Sequence, residues 1–145
     1  WLNLIDTQLG LIVMYTIFNL PFAIWMLRGF IRELPVELEE CAMTDGCSRL
    51  GAFRRITLPL LAPSLAATAA FCFLFAWNEY LFALIFTRSR AVTLPVSLQM
   101  WSTHLGPEWG ELSSLAALTI VPPLLLVYLL QKHIVSGLTF GAIKG

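Results

Sequence analysis

Three stretches of this chain carry no Asp, Glu, Lys or Arg over about the length that a hydrocarbon layer demands. Leu9 to Leu27 is nineteen residues without a charge, Ile56 to Asn78 is twenty-three, and Leu112 to Gln131 is twenty. A bilayer core is crossed by ~20 helical residues, so the pattern predicts an all-α membrane bundle with transmembrane helices at 9–27, 58–87 and 112–131. In the last run eleven residues are Leu, Ile or Val, which favours insertion by about 3 to 7 kcal/mol before its polar residues and prolines are counted. A soluble helical core rarely sustains runs of this length.

Composition supports the same solvent. Of 145 residues, 58% are hydrophobic and 12% charged, and the mean hydropathy is +0.78, whereas a soluble domain carries roughly 25% charged residues. Nine basic and nine acidic side chains cancel, so no phosphate-attracting surface points to nucleic acid. Orientation follows from the basic residues, which concentrate on the cytoplasmic side. Arg28, Arg32, Arg49, Arg54 and Arg55 lie between the first two runs, Lys132 and Lys144 follow the third, and only Arg88 and Arg90 lie between the second and third. Residues 28–57 and the tail 132–145 are therefore expected in the cytoplasm, and 88–111 outside. Residue 1 is Trp, and no basic region of a signal peptide precedes the first run, so the sequence is expected to be an N-terminally truncated fragment, with further transmembrane helices upstream of it.

The exception to the low charge is one loop. Ten of the eighteen charges fall between Arg28 and Arg55. Pro35 opens a helix whose Glu37, Glu39 and Glu40 complement the positive end of the helix dipole. Gly46 can end it in the left-handed conformation, and Ser48 can cap a second short helix carrying Leu50, Phe53 and Arg54. Leu38, Ala42 and Asp45 share one face by their spacing, and Leu50 and Phe53 another. A helix–turn–helix knob of this kind suits docking into a partner's groove; a solvated amphipathic loop on the headgroups explains the arginines but not the Asp45-Gly46 turn.

Elsewhere the residues offer less chemistry. Cys41, Cys47 and Cys72 have no metal or redox spacing. His104 and His133 lack a zinc-protease Glu, and there is no phosphate-binding glycine loop, so no metal or cofactor is expected in this chain. Trp77, Asn78, Glu79 and Tyr80 end the second run and are candidates for a translocation pathway, because an intramembrane carboxylate normally faces a bundle interior or a watery path. The alternative is an outer aromatic belt in which Glu79 pairs with Arg88 or Arg90. Ala62, Ala66 and Ala70 form a possible small-residue packing stripe, or simply an Ala-rich helix. Pro21 and Pro122-Pro123 should kink or interrupt their helices. Residues 91–110, with Pro95, Trp101, Gly106, Pro107 and Trp109, suit an outer segment anchored by aromatic residues.

The string Glu40-Cys41-Ala42-Met43-Thr44-Asp45-Gly46-Cys47, followed by Phe53, Ile56, Leu58-Pro59 and Pro63, resembles the EAA loop of the transmembrane subunits of bacterial ABC importers. Cys41 and Cys47 stand where that family more often has alanine. The flanks, Leu20-Pro21-Phe22-Ala23-Ile24-Trp25-Met26-Leu27, Trp77-Asn78-Glu79-Tyr80 and the ending Gly137 to Gly145, are similar to the maltose-type sugar permease branch. The resemblance implies a multi-pass subunit of the bacterial inner membrane. Its partners would be a second permease, a dimer of ATP-binding subunits that hold ATP and magnesium, and an extracytoplasmic solute-binding protein delivering a sugar or oligosaccharide. It also implies that Glu40, Ala42, Asp45, Gly46, Leu50 and Phe53 form the joint with the ATPase. A permease for a non-sugar solute is the alternative within transport; a membrane-embedded enzyme or a channel is a more distant one.

Overall fold

The computed structural model describes residues 4–101 and 109–140, the side chains of 101 and 132–140 excepted. Among them the regular structure is entirely helical: α1 (Gln8–Glu33), α2 (Glu37–Thr44), α3 (Arg49–Ala52), a π-helical turn (Phe53–Thr57), α4 (Leu58–Asn78), α5 (Leu81–Phe86), α6 (Leu94–Trp101) and α7 (Trp109–Phe140). The segments Gln8–Glu33, Arg49–Asn78 and Trp109–Gln131 are long and apolar enough to cross a membrane. The expected positions of His104, Gly106, Pro107 and the side chains of the tail lie outside the described residues.

The chain divides into two compact units, one of Trp1–Pro21 with Cys72–Tyr128, the other of Phe22–Phe71 with Leu129–Gly145. In the first, Leu11, Ala83, Ala91 and Val96 form a small buried core, flanked by Tyr15, Tyr80, Phe86 and Val92. Phe18 meets Phe82 edge-on with centroids 5.5 Å apart. Thr7 starts α1: its Oγ1 accepts the N–H of Gly10 at 3.1 Å and donates to the Leu4 carbonyl at 2.9 Å. Gly10 is required here, since a Cβ at that position would lie 2.0 Å from the Leu4 carbonyl oxygen. Little of Trp109–Gln131 in α7 is covered; Leu118, Leu124 and Leu129 are 63%, 62% and 64% exposed, an apolar surface suited to lipid or to further helices.

In the second unit the buried positions of α4 are Leu61, Ser64, Ala67, Thr68 and Ala70, and Phe22 of α1 meets Phe71 edge-on at 6.2 Å. The proposed small-residue stripe is therefore in the wrong register: Ala70 is buried, but Ala62 is exposed and Ala66 only half-buried. The packed row runs instead through Leu61, Ser64 and Ala67, because burial follows the neighbouring helix and not side-chain size alone.

Three further expectations need revision. The second short helix of the loop is not separate, because α3 continues through the π turn into α4. The second span ends at Asn78 and the chain restarts as α5, so 58–87 is not one rod. Pro21 and Pro122-Pro123 do not interrupt their helices, which run through them; a missing proline N–H removes one hydrogen bond without ending a helix when the surrounding turns remain intact.

Candidate functional site

The knob is built by local chemistry. Glu37, Glu39 and Glu40 occupy the first turn of α2, where carboxylates favour the helix start. At its end the Gly46 N–H donates to the Met43 carbonyl and the Cys47 N–H to the Ala42 carbonyl, both at 3.0 Å. This reciprocal pair closes a helix when the residue between is left-handed, and Gly46 has φ +88°. Ser48 then turns the chain into α3, its Oγ accepting the Gly51 N–H at 3.2 Å. Both features match the expectation from the residues.

The candidate coupling residues divide into two groups. Glu40, Asp45, Gly46, Leu50 and Phe53 are exposed, with Leu50 61% and Phe53 40% accessible. Ala42 is buried at 7%, whereas Leu38 and Asp45, which share its face by spacing, are exposed. The exposed candidates are two carboxylates, the glycine of the turn, one aliphatic and one aromatic side chain, the kinds of acceptor and apolar anchor that a docking contact combines.

The four pathway candidates sit at the junction of α4 and α5. Trp77 Nε1–H donates to the Thr119 carbonyl of α7 at 3.1 Å, and its ring stacks on Phe73 with centroids 5.5 Å apart. Asn78 Nδ2–H donates to the Leu74 carbonyl at 2.8 Å. The Glu79 carboxylate accepts the N–H groups of Phe82 at 2.8 Å and Ala83 at 3.0 Å, capping the start of α5. Tyr80 packs against the buried core. The Trp77 N–H, the Asn78 amide N–H and the Glu79 carboxylate are engaged by backbone groups, and Glu79 meets backbone donors, not the side chains of Arg88 or Arg90.

Sequence reasoning overlooked two contacts. The backbone N–H groups of Arg88, Ser89, Arg90 and Ala91 converge on the Asp6 carboxylate at 2.9 to 3.2 Å, and Ser89 Oγ adds a contact at 3.2 Å. These donors, the Arg88 N–H foremost, hold the Asp6 carboxyl well below the usual carboxylate range. The Asp6 N–H donates to the Phe86 carbonyl at 2.7 Å. An acid just before an apolar run was the only signal for it. The second contact lies in the knob, where the Thr57 hydroxyl donates to Glu39 Oε1; no local spacing marks a pair eighteen residues apart.

Comparison with known proteins agrees with this geometry. Residues 1–140 match the family of binding-protein-dependent transport system inner membrane components. The chain is 44% identical over 144 residues to the diacetylchitobiose uptake system permease protein DasC of Streptomyces coelicolor, covering 99% of this chain and 52% of that protein. It is 40% identical over 146 residues to the trehalose/maltose transport system permease protein MalG of Thermococcus litoralis, covering 99% and 52%. It is 40% identical over 147 residues to the trehalose transport system permease protein SugB of Mycobacterium tuberculosis, covering 99% and 54%. The chain therefore spans about half the length of these relatives. With helical structure throughout its described residues, three helices long and apolar enough to cross a membrane, and a family match over residues 1–140, the chain belongs to the binding-protein-dependent transport system inner membrane components.

Proposed function

We propose that this chain is part of the permease of an ATP-driven, binding-protein-dependent sugar importer, and that the knob within the loop 28–57 couples it to the ATPase. One observation carries the coupling reading: the turn closed by Gly46 and Ser48 holds Glu40, Asp45, Leu50 and Phe53 outward on a rigid body. A rigid knob transmits a displacement that a flexible loop would absorb. Relatives named for diacetylchitobiose, trehalose/maltose and trehalose uptake support a sugar or oligosaccharide as cargo.

In this reading the energy comes from a dimer of partner subunits that bind ATP and magnesium. A second permease completes the path, and an extracytoplasmic solute-binding protein delivers the sugar at the bacterial inner membrane. Trp77, Asn78, Glu79 and Tyr80 contribute to the pathway by fixing its wall, since their polar groups are committed to backbone partners or the core. The test is uptake by proteoliposomes holding the full permease and its partners. Gly46→Pro or Asp45→Arg should leave the permease inserted but separate ATP hydrolysis from sugar uptake, and unchanged uptake would refute the coupling role. A panel of sugars and non-sugar solutes offered to the same vesicles identifies the cargo class.

A further inference from the structure

Five threonines of the described residues share a habit from which Thr57 departs. Thr16, Thr44, Thr68, Thr87 and Thr119 each donate the hydroxyl to the carbonyl four residues earlier, that of Ile12, Glu40, Ser64, Ala83 and Leu115 respectively. This is the ordinary helical use of the side chain. Thr57 instead sends its hydroxyl across to Glu39 Oε1 on α2. Thr57 is the last residue of the wide turn, in which the Phe53 carbonyl accepts the Leu58 N–H.

The contact is well placed to fix an orientation. Thr57 is 6% exposed and Glu39 half-buried, at a cavity of about 100 Å³ whose other walls include Ile31, Leu34, Leu38, Ile56 and Leu60. Apolar contacts between helices tolerate small slides and rotations, whereas a hydrogen bond to a carboxylate is short and directional. The far end of α2 is tied to α3 by the Gly46 turn, but its near end is joined to α1 only through residues 34–36. Without a directional contact at Glu39, α2 can rock while the turn at its other end stays closed.

We propose that the hydrogen bond from Thr57 to Glu39 is the positioning contact that makes α2 and the start of α4 move as one body, so that a push on the knob becomes a displacement of the membrane helix. The inference rests on the coupling reading above, and names two residues outside the exposed candidates as determinants of coupling.

The experiment uses the full permease assembled with its ATPase subunits in proteoliposomes, reading ATP hydrolysis, sugar taken up per ATP, and ATPase retained on affinity purification. Thr57→Val keeps shape and removes the donor; it should retain the ATPase and hydrolyse ATP while sugar per ATP falls about fivefold or more. Thr57→Ser, which restores the hydroxyl, should return the ratio toward wild type, a rescue that loss of packing alone would not give. Should Thr57→Val fail to assemble, Glu39→Met removes the acceptor from the other side and should show the same drop. A wild-type ratio in the variants with ATPase bound overturns the inference, as does loss of ATPase binding by the variants alone, since the pair would then build the docking face. Failure of the wild-type permease to retain any ATPase overturns the coupling reading itself.

Discussion

Asp6 and Arg90 stand 84 positions apart, yet the carboxylate of the first accepts the backbone N–H of the second at 3.0 Å. Three neighbouring N–H groups share the same acceptor, so the residues before α1 and the turn after α5 are held by one side chain. Replacing Asp6 with Asn points an amide that is half donor at a ring of donors. The amides of 88–91 should then exchange faster with solvent in hydrogen–deuterium exchange, with a lower melting temperature.

The acid also sets a pH dependence. Its folded value lies below its ordinary value of 3.8, so the stability it contributes is complete above 3.8 and is lost as pH falls through the depressed folded value. Melting curves in mildly acidic buffer should show the wild type and Asp6→Asn keeping their difference at pH 5, with the gap closing only as strongly acidic conditions are reached. A gap that closes between pH 7 and 5 would assign the effect to another group.

Gly10→Ala tests close approach. The added Cβ meets the Leu4 carbonyl oxygen at 2.0 Å, a backbone atom that cannot swing away as a side chain would. Overpacking of this kind costs about 1–3 kcal/mol, and the Leu4–Thr7 turn should loosen, seen as faster exchange of the Asp6 N–H.

Gly46→Ala tests conformation without crowding. Nothing lies within 4 Å of a Cβ there, so the penalty is the left-handed backbone alone, about 1–2 kcal/mol. Gly46→Asn should lose less, because Asn tolerates that region. Thermal unfolding of the two variants in detergent checks the order; equal losses would indicate an unseen steric contact.

Trp77→Phe and Glu79→Gln separate scaffold from substrate binding. The first removes the indole N–H bond to Thr119, worth about 0.5–1.5 kcal/mol, and keeps an aromatic ring beside Phe73. The second exchanges one of the two carboxylate acceptors capping α5 for a donor. Both should lower the melting temperature while the KM for sugar uptake stays near wild type; a large rise in KM with unchanged stability would place these groups on the substrate instead.

What the residues disclosed in advance was the chemistry of near neighbours. The Gly46 turn and the Ser48 cap depend on contacts within three to five positions, and the three long apolar helices on uncharged length, so both were legible. The pairs Asp6–Arg90, Glu39–Thr57 and Trp77–Thr119 join distant segments, and spacing along the chain contains no trace of them. The Ala62-Ala66-Ala70 stripe failed because the neighbour of a helix chooses its buried face. Glu79 is unusual in the sequence as a carboxylate closing an uncharged run, but nothing there marks it as a cap, since no glycine or proline announces the end of α4 at Asn78.

The π turn between Phe53 and Thr57 has a consequence for how this chain can change in length. An α-helix rotates its side chains by about 100° with each residue, so one deletion in Arg49–Asn78 would swing everything on one side of it to a new direction. The wide turn already stores an extra residue. Removing one there lets it close as ordinary helix, with Leu50 and Leu61 keeping their mutual bearing. Single-residue deletions should therefore be tolerated for aim at 53–57 and nowhere else along that rod: it is the slack in an otherwise inextensible shaft.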